Sequence, residues 1–191
     1  MNYHVYIFRH GQTHYNKSKR FTGRTNSKLN NKGKEQSNFL AEQLKSKKFQ
    51  VAYKTSLSRS EQSLRIVLKY HPECRRVIVD DRLIERSYGY LERKYQKTII
   101  KKYGKKQFDL WHRSYHVPPP GGESIKTVEE RVLSFISDLL LFIKKEKVNV
   151  AICFHNNSMR PFRRYFENLT IKQMMLLENP YDKYFDYVIK F

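Results

Sequence analysis

Apolar positions along the chain follow two spacings that take turns. Residues 5–8, 51–54, 77–79, 150–154 and 184–189 are short runs rich in β-branched, aromatic and other apolar side chains, as strands are. Between them, apolar residues recur three and four apart. Residues 31–47 set Phe39, Leu40 and Leu44 on one face, and residues 58–70 do the same with Leu64, Val67 and Leu68. Residues 127–145 open on Thr127 and Glu130, the spacing of a capping box, and then present Val132, Phe135, Ile136, Leu139, Leu140 and Ile143. Thr170 is placed to cap a short helix ending near Leu177. This alternation predicts an α/β fold of three layers, α/β/α, around a mostly parallel sheet with helices on both faces.

Residues 82–122 break the rhythm. They are polar and aromatic, and they end in Pro118-Pro119-Pro120-Gly121-Gly122, where no regular helix can run. The chain reads as one domain over residues 1–191, with residues 82–122 as an insertion that serves as lid and substrate segment. Its length is sufficient for one hydrophobic core.

Composition and charge then narrow the classes. No apolar run is long enough to span a bilayer, and the N-terminal segment lacks the basic start, apolar stretch and small-residue cleavage site of a signal peptide. Cys74 and Cys153 stand alone, without metal-site spacing. The expectation is a cytoplasmic protein that uses no metal and has no membrane partner. Thirty-eight Lys and Arg against eighteen Asp and Glu leave a net charge of +20. A specific nucleic-acid binder gathers such residues on a stripe or an arm. Here they are scattered, which favours steering of small anions and solvation of the surface. No specific nucleic acid is expected as a partner, and a homo-oligomer is compatible with the pattern.

Candidate chemistry lies at the ends of the predicted strands, where ligands of open parallel sheets bind. Arg9-His10-Gly11 closes the first strand, followed by Thr13, Asn16 and Phe21-Thr22-Gly23. Ser58-Arg59-Ser60-Glu61-Gln62-Ser63 opens a helix after the second, and Phe154-His155-Asn156-Asn157-Ser158 closes a later one. A neutral imidazole is a good nucleophile toward phosphorus, and guanidinium groups hold phosphoryl oxygens. Two histidines and two arginines at one sheet edge would make a cationic pocket for one phosphoryl group.

These segments, RHGQTHYN, SRSEQS and FHNNSMR, resemble the signature of the histidine phosphatase superfamily, the phosphoglycerate mutase-like fold, in order and over nearly the whole chain. Within it, the nearest likeness is to the cofactor-dependent phosphoglycerate mutases. Phe21-Thr22-Gly23, RLIERSYG (residues 82–89) and the Trp111–Tyr115 stretch with its three prolines look like mutase segments. The resemblance implies a phosphohistidine on His10, with Arg9, Asn16, Arg59 and His155 binding the phosphoryl oxygens. It implies Glu85 as general acid and base, and Thr22, Gly23, Tyr88, Arg113, Asn156 and Asn157 around the rest of the substrate. The reaction implied is interconversion of 3- and 2-phosphoglycerate, with 2,3-bisphosphoglycerate as priming donor. The alternative is a phosphomonoester phosphatase acting at the same site on a small phosphorylated substrate.

Several positions depart from the mutase pattern. Asn156 stands where the family has a glycine, a substitution expected to need a left-handed backbone that asparagine tolerates. His112 replaces a clamp arginine, and Gln96 falls where a substrate-binding lysine is usual, with Lys94 and Lys97 nearby. Pro120 runs straight into Gly121-Gly122-Glu123-Ser124, and the sequence stops at Phe191. A shorter cover over the site and no mobile tail are therefore expected.

Overall fold

The computed structural model describes residues 1–191. In chain order its elements are β1 (Asn2–Arg9), α1 (His14–Lys17), α2 (Asn31–Leu44), β2 (Val51–Lys54), α3 (Ser58–Val67), β3 (Arg76–Val79), α4 (Gln96–Arg113), α5 (Ile125–Glu146), β4 (Val150–Phe154), α6 (Asn156–Glu167), α7 (Ile171–Leu176) and β5 (Tyr184–Lys190). The strands form one sheet in the order β3-β2-β4-β1-β5. All pairs are parallel except β1 with β5. No helix is long and apolar enough to cross a membrane.

Alternation within the central strands produces the three layers. Val5, Ile7, Ile152 and Phe154 point into a core shared with Val128, Val132, Phe135, Ile136 and Leu139 of α5 and with Met159 and Phe162 of α6. Tyr6, Phe8, Ala52, Ala151 and Cys153 face the other way, onto Leu40, Ala41 and Leu44 of α2 and Leu64 and Val67 of α3. A strand buried on both faces must be apolar at every position, which explains the unbroken apolar runs. Register matters for function: Arg9 lies opposite Phe154, and the His10 N–H donates to the Phe154 carbonyl at 3.1 Å. The residues after β1 and β4 therefore emerge side by side.

The structure differs from the sequence expectations at four places. α5 begins at Ile125, not Thr127; Ser124 is its cap, with its Oγ accepting the Thr127 N–H at 3.0 Å. The Thr127–Glu130 box does not form, because buried Ile125 and Val128 draw the apolar stripe one turn earlier. Phe39 is 57% exposed; the buried stripe of α2 runs through Ser37, Leu40, Ala41 and Leu44, and the helix stops at Leu44. Residues 68–70 tighten into a 3-10 turn. Finally, the insertion contains an element that the sequence did not announce: α4, broken at Gly104 (φ +81°). It buries only Ile99 and Phe108, in a small cluster with Phe21, Tyr88 and Leu91.

One side chain ties this insertion down. Arg86 is fully buried and donates to the carbonyls of Glu123 (2.7 Å), Trp111 (3.0 Å) and His112 (3.4 Å). It thereby links the end of α4 to the approach of α5.

Candidate active site

The turn after β1 is built by close backbone contact. A Cβ on Gly11 would stand 2.1 Å from the Gly33 carbonyl oxygen, so the N-terminus of α2 can approach only a glycine there. The Gly11 N–H donates to Ser63 Oγ at 3.0 Å, which joins the turn to α3. His10 Nδ1 lies 2.7 Å from the Gly11 carbonyl. A carbonyl can only accept, so the proton sits on Nδ1 and the lone pair on Nε2.

Arg59, the second residue of α3 and 1% exposed, stands between the two histidines. Its Nε–H points at His10 Nε2 and His155 Nδ1, each at 3.2 Å. Its remaining nitrogens donate to the carbonyls of Thr25 (3.0 Å) and Gly23 (2.8 Å). His155 Nε2 is 2.8 Å from Thr55 Oγ1, and the two imidazole rings are 5.0 Å apart. Burial, then Arg59, then Arg9 hold His10 well below its ordinary pKa, against an opposing pull from the Gly11 carbonyl. His155 is lowered likewise by burial, Arg59 and His10. Both rings are neutral at pH 7, and desolvation outweighs the arginines as the cause. Arg59 itself is drawn down to about 10, chiefly by burial.

A cavity of about 160 Å³ opens beside this cluster. Of the residues expected at the site, Arg9, Asn16, Thr22, Gly23, Glu85, Tyr88, Asn156 and Asn157 line it. His10, Arg59 and His155 form the buried cluster behind this lining. Glu85 is 7% exposed, and its Oε1 accepts the backbone N–H groups of Arg86 (2.8 Å) and Asn157 (3.1 Å). Arg9 is held by the Asn179 carbonyl and the Tyr181 hydroxyl, both at 3.0 Å, and its Nε is buried without a partner. Asn16 Oδ1 accepts the N–H (3.1 Å) and the hydroxyl (2.9 Å) of Thr13 at the start of α1. Asn157 Nδ2 donates to the Tyr88 hydroxyl at 3.4 Å.

One expectation needs correction here. Asn156 opens α6 and is not among the residues with positive φ; its carbonyl accepts from Asn179 Nδ2 at 3.0 Å. The change from glycine therefore needs no left-handed backbone. Arg113 is exposed and does not line the main cavity; it borders an adjoining one of about 140 Å³ with Arg160, and the two share Tyr88, His112, Asn156 and Asn157. Gln96 and His112 do line the main cavity, whereas Lys94 and Lys97 do not. His112 packs on Phe108 (5.2 Å between centroids) and Phe21 (5.7 Å), and its pKa is pushed down to about 4 by burial, then Arg113 and Arg86.

Sequence reasoning missed Thr55, Asn179, Tyr181 and Arg20. Thr55 directly follows β2, and that strand-end place was its only signal. No group of three or more His, Cys, Asp or Glu side chains is arranged to hold a metal ion.

Residues 5–183 match the model of the histidine phosphatase superfamily, branch 1. The chain is 36% identical over 176 residues to a 2,3-bisphosphoglycerate-dependent phosphoglycerate mutase of Parvibaculum lavamentivorans, covering 90% of this chain and 83% of the relative. It is 35% identical over 177 residues to a phosphoglycerate mutase of Schizosaccharomyces pombe, with the same two coverages. Among solved structures, a mycobacterial glucosyl-3-phosphoglycerate phosphatase in complex with VO3 superposes with a TM-score of 0.83 at 20% identity, over 96% of this chain and 90% of the other. That likeness concerns the fold.

Proposed function

Because the chain belongs to the histidine phosphatase superfamily, we propose that it moves a phosphoryl group through a phosphohistidine on His10. We further infer that its reaction is the interconversion of 3- and 2-phosphoglycerate, primed by 2,3-bisphosphoglycerate. The observation that carries this reading is the pair of neutral imidazoles sharing one arginine N–H, with the lone pair of His10 Nε2 as nucleophile. Nε2 attacks phosphorus, forming the N–P bond as the ester O–P bond breaks. Glu85, with Oε1 already fixed by two amides, protonates the leaving oxygen and then takes the proton back from the accepting hydroxyl. Arg9, Asn16, Arg59 and His155 hold the phosphoryl oxygens; Thr22, Gly23, Tyr88, Asn156 and Asn157 hold the rest of the substrate. The sequence likeness to the mutases of two organisms supports the mutase assignment.

A phosphatase is the second reading, and a specific observation favours it. Gln96 and the neutral His112 supply no charge where a mutase grips its second anion, and a weakly held intermediate is open to water. Incubation with 3-phosphoglycerate and trace 2,3-bisphosphoglycerate, following 2-phosphoglycerate and free phosphate together, separates the two. We expect 2-phosphoglycerate with some phosphate released. Phosphate without any 2-phosphoglycerate would assign the chain to the phosphatases. Labelled substrate should leave an acid-labile phosphoenzyme that His10→Ala abolishes; label retained in that variant would refute the mechanism.

A further inference from the structure

Arg20 lines the main cavity, yet the phosphoryl-transfer scheme gives it no task. Its guanidinium carbon lies 4.2 Å from the centre of the Tyr95 ring and 5.2 Å from that of Tyr15, and one Nη donates to the Tyr95 hydroxyl at 2.5 Å. Its Nε is buried without a hydrogen-bond partner, as is Thr22 Oγ1 on the same cavity wall. No carboxylate forms an ion pair with Arg20. A guanidinium packed on two rings and hydrogen-bonded to one of them, with a buried N–H left over, is a preorganised receptor for a planar anion. An unsatisfied buried donor is costly unless a ligand satisfies it.

The backbone fixes where this receptor stands. Arg20 pairs with Tyr95 across an isolated antiparallel bridge, and the Gln96 N–H donates to the Lys19 carbonyl at 3.0 Å. Arg20 is thus fastened beside Gln96, the position where the mutase resemblance has a lysine. The charged side chains lining the cavity are Arg9, Glu85 and Arg20. Arg9 adjoins His10 in the chain, and Glu85 is bound to the head of α6.

We propose that Arg20, with Thr22 Oγ1, clamps a carboxylate on the alcohol portion of the phosphorylated substrate and so selects phosphorylated hydroxy acids over neutral phosphomonoesters. The proposal rests on reading the site as one for phosphomonoesters. Binding can be measured apart from turnover. Calorimetry with 2-phosphoglycolate, which carries phosphate and carboxylate, is compared with inorganic phosphate in the intact chain and in Arg20→Met and Arg20→Lys. Arg20→Met should weaken phosphoglycolate about tenfold or more while inorganic phosphate changes by less than about twofold, and Arg20→Lys should recover part of the loss. In turnover, the preference for 3-phosphoglycerate over glycerol 3-phosphate should shrink by a similar factor. Equal weakening of both ligands, or of neither, would overturn the clamp. A loss confined to 2,3-bisphosphoglycerate would overturn the carboxylate in favour of a phosphate. Failure of His10 to take up label would instead sink the catalytic reading, and the binding comparison would stand.

Discussion

The Arg59 N–H cannot serve two imidazoles fully at once, and this division keeps His10 Nε2 only weakly engaged. A nucleophile wholly tied up by a donor would have to break that bond before reacting. On the phosphohistidine reading proposed above, half a bond is surrendered and the guanidinium remains beside the incoming phosphoryl group. Glu85 is treated differently: two backbone amides fix its position, and a carboxamide in its place should leave the cavity shape intact. We expect Glu85→Gln to keep substrate affinity and to lower kcat about a hundredfold or more, as loss of a general acid does. The loss should shrink with nitrophenyl phosphate, whose leaving group needs no proton. An equal drop on both substrates would mean that Glu85 is structural. His10, Arg59 and His155 were legible because such residue types stood at strand and helix ends, whereas Glu85, in a charged loop, was legible only through the resemblance of its RLIERSYG segment. Arg20 and Asn179 were not, since a buried orphan N–H or a carbonyl partner exists only once distant segments meet.

Among the elements, the central strands and α5 were legible for a simple reason: their apolar periods are dictated by the core on which they lie. α4 was hidden because a lysine-rich helix that buries two side chains and is interrupted by Gly104 has no stripe to read. What holds it is polar. Arg86 gathers the ends of α4 and the Glu123 segment through carbonyl oxygens, each bond made by a charged donor out of water. Arg86→Met would keep much of the volume and leave those carbonyls unpaired. We expect a loss of about 3 kcal/mol in unfolding free energy, or loss of protection confined to residues 86–123, given the usual cost of unsatisfied buried groups. Hydrogen exchange would distinguish the two. A variant as stable as the parent, with α4 equally protected, would show that the small apolar cluster alone anchors the insertion.

For the molecule as a whole, the buried histidines set a dependence on acid. Unfolded imidazoles take up a proton near pH 6.5, whereas His10 and His155 in the folded chain do so well below that. Below about pH 6.5 the unfolded chain binds more protons, so stability falls as pH falls, until the folded pKa is reached. Each group contributes up to about 1.4 kcal/mol per pH unit in that window and nothing to the slope well above it. Urea midpoints measured from pH 7.5 to 5.5 should therefore drop toward acid, less steeply in His155→Gln. A flat profile would mean that the pocket admits protons freely. The sheet order carries another consequence, one of timing. β1 leads directly into His10, yet its two neighbours are β4, which begins at Val150, and β5, which begins at Tyr184. During synthesis β1 must wait for both, on the order of ten seconds at ordinary elongation rates. Until then its apolar residues lack their sheet partners, and through them the nascent chain lies open to aggregation and to chaperones.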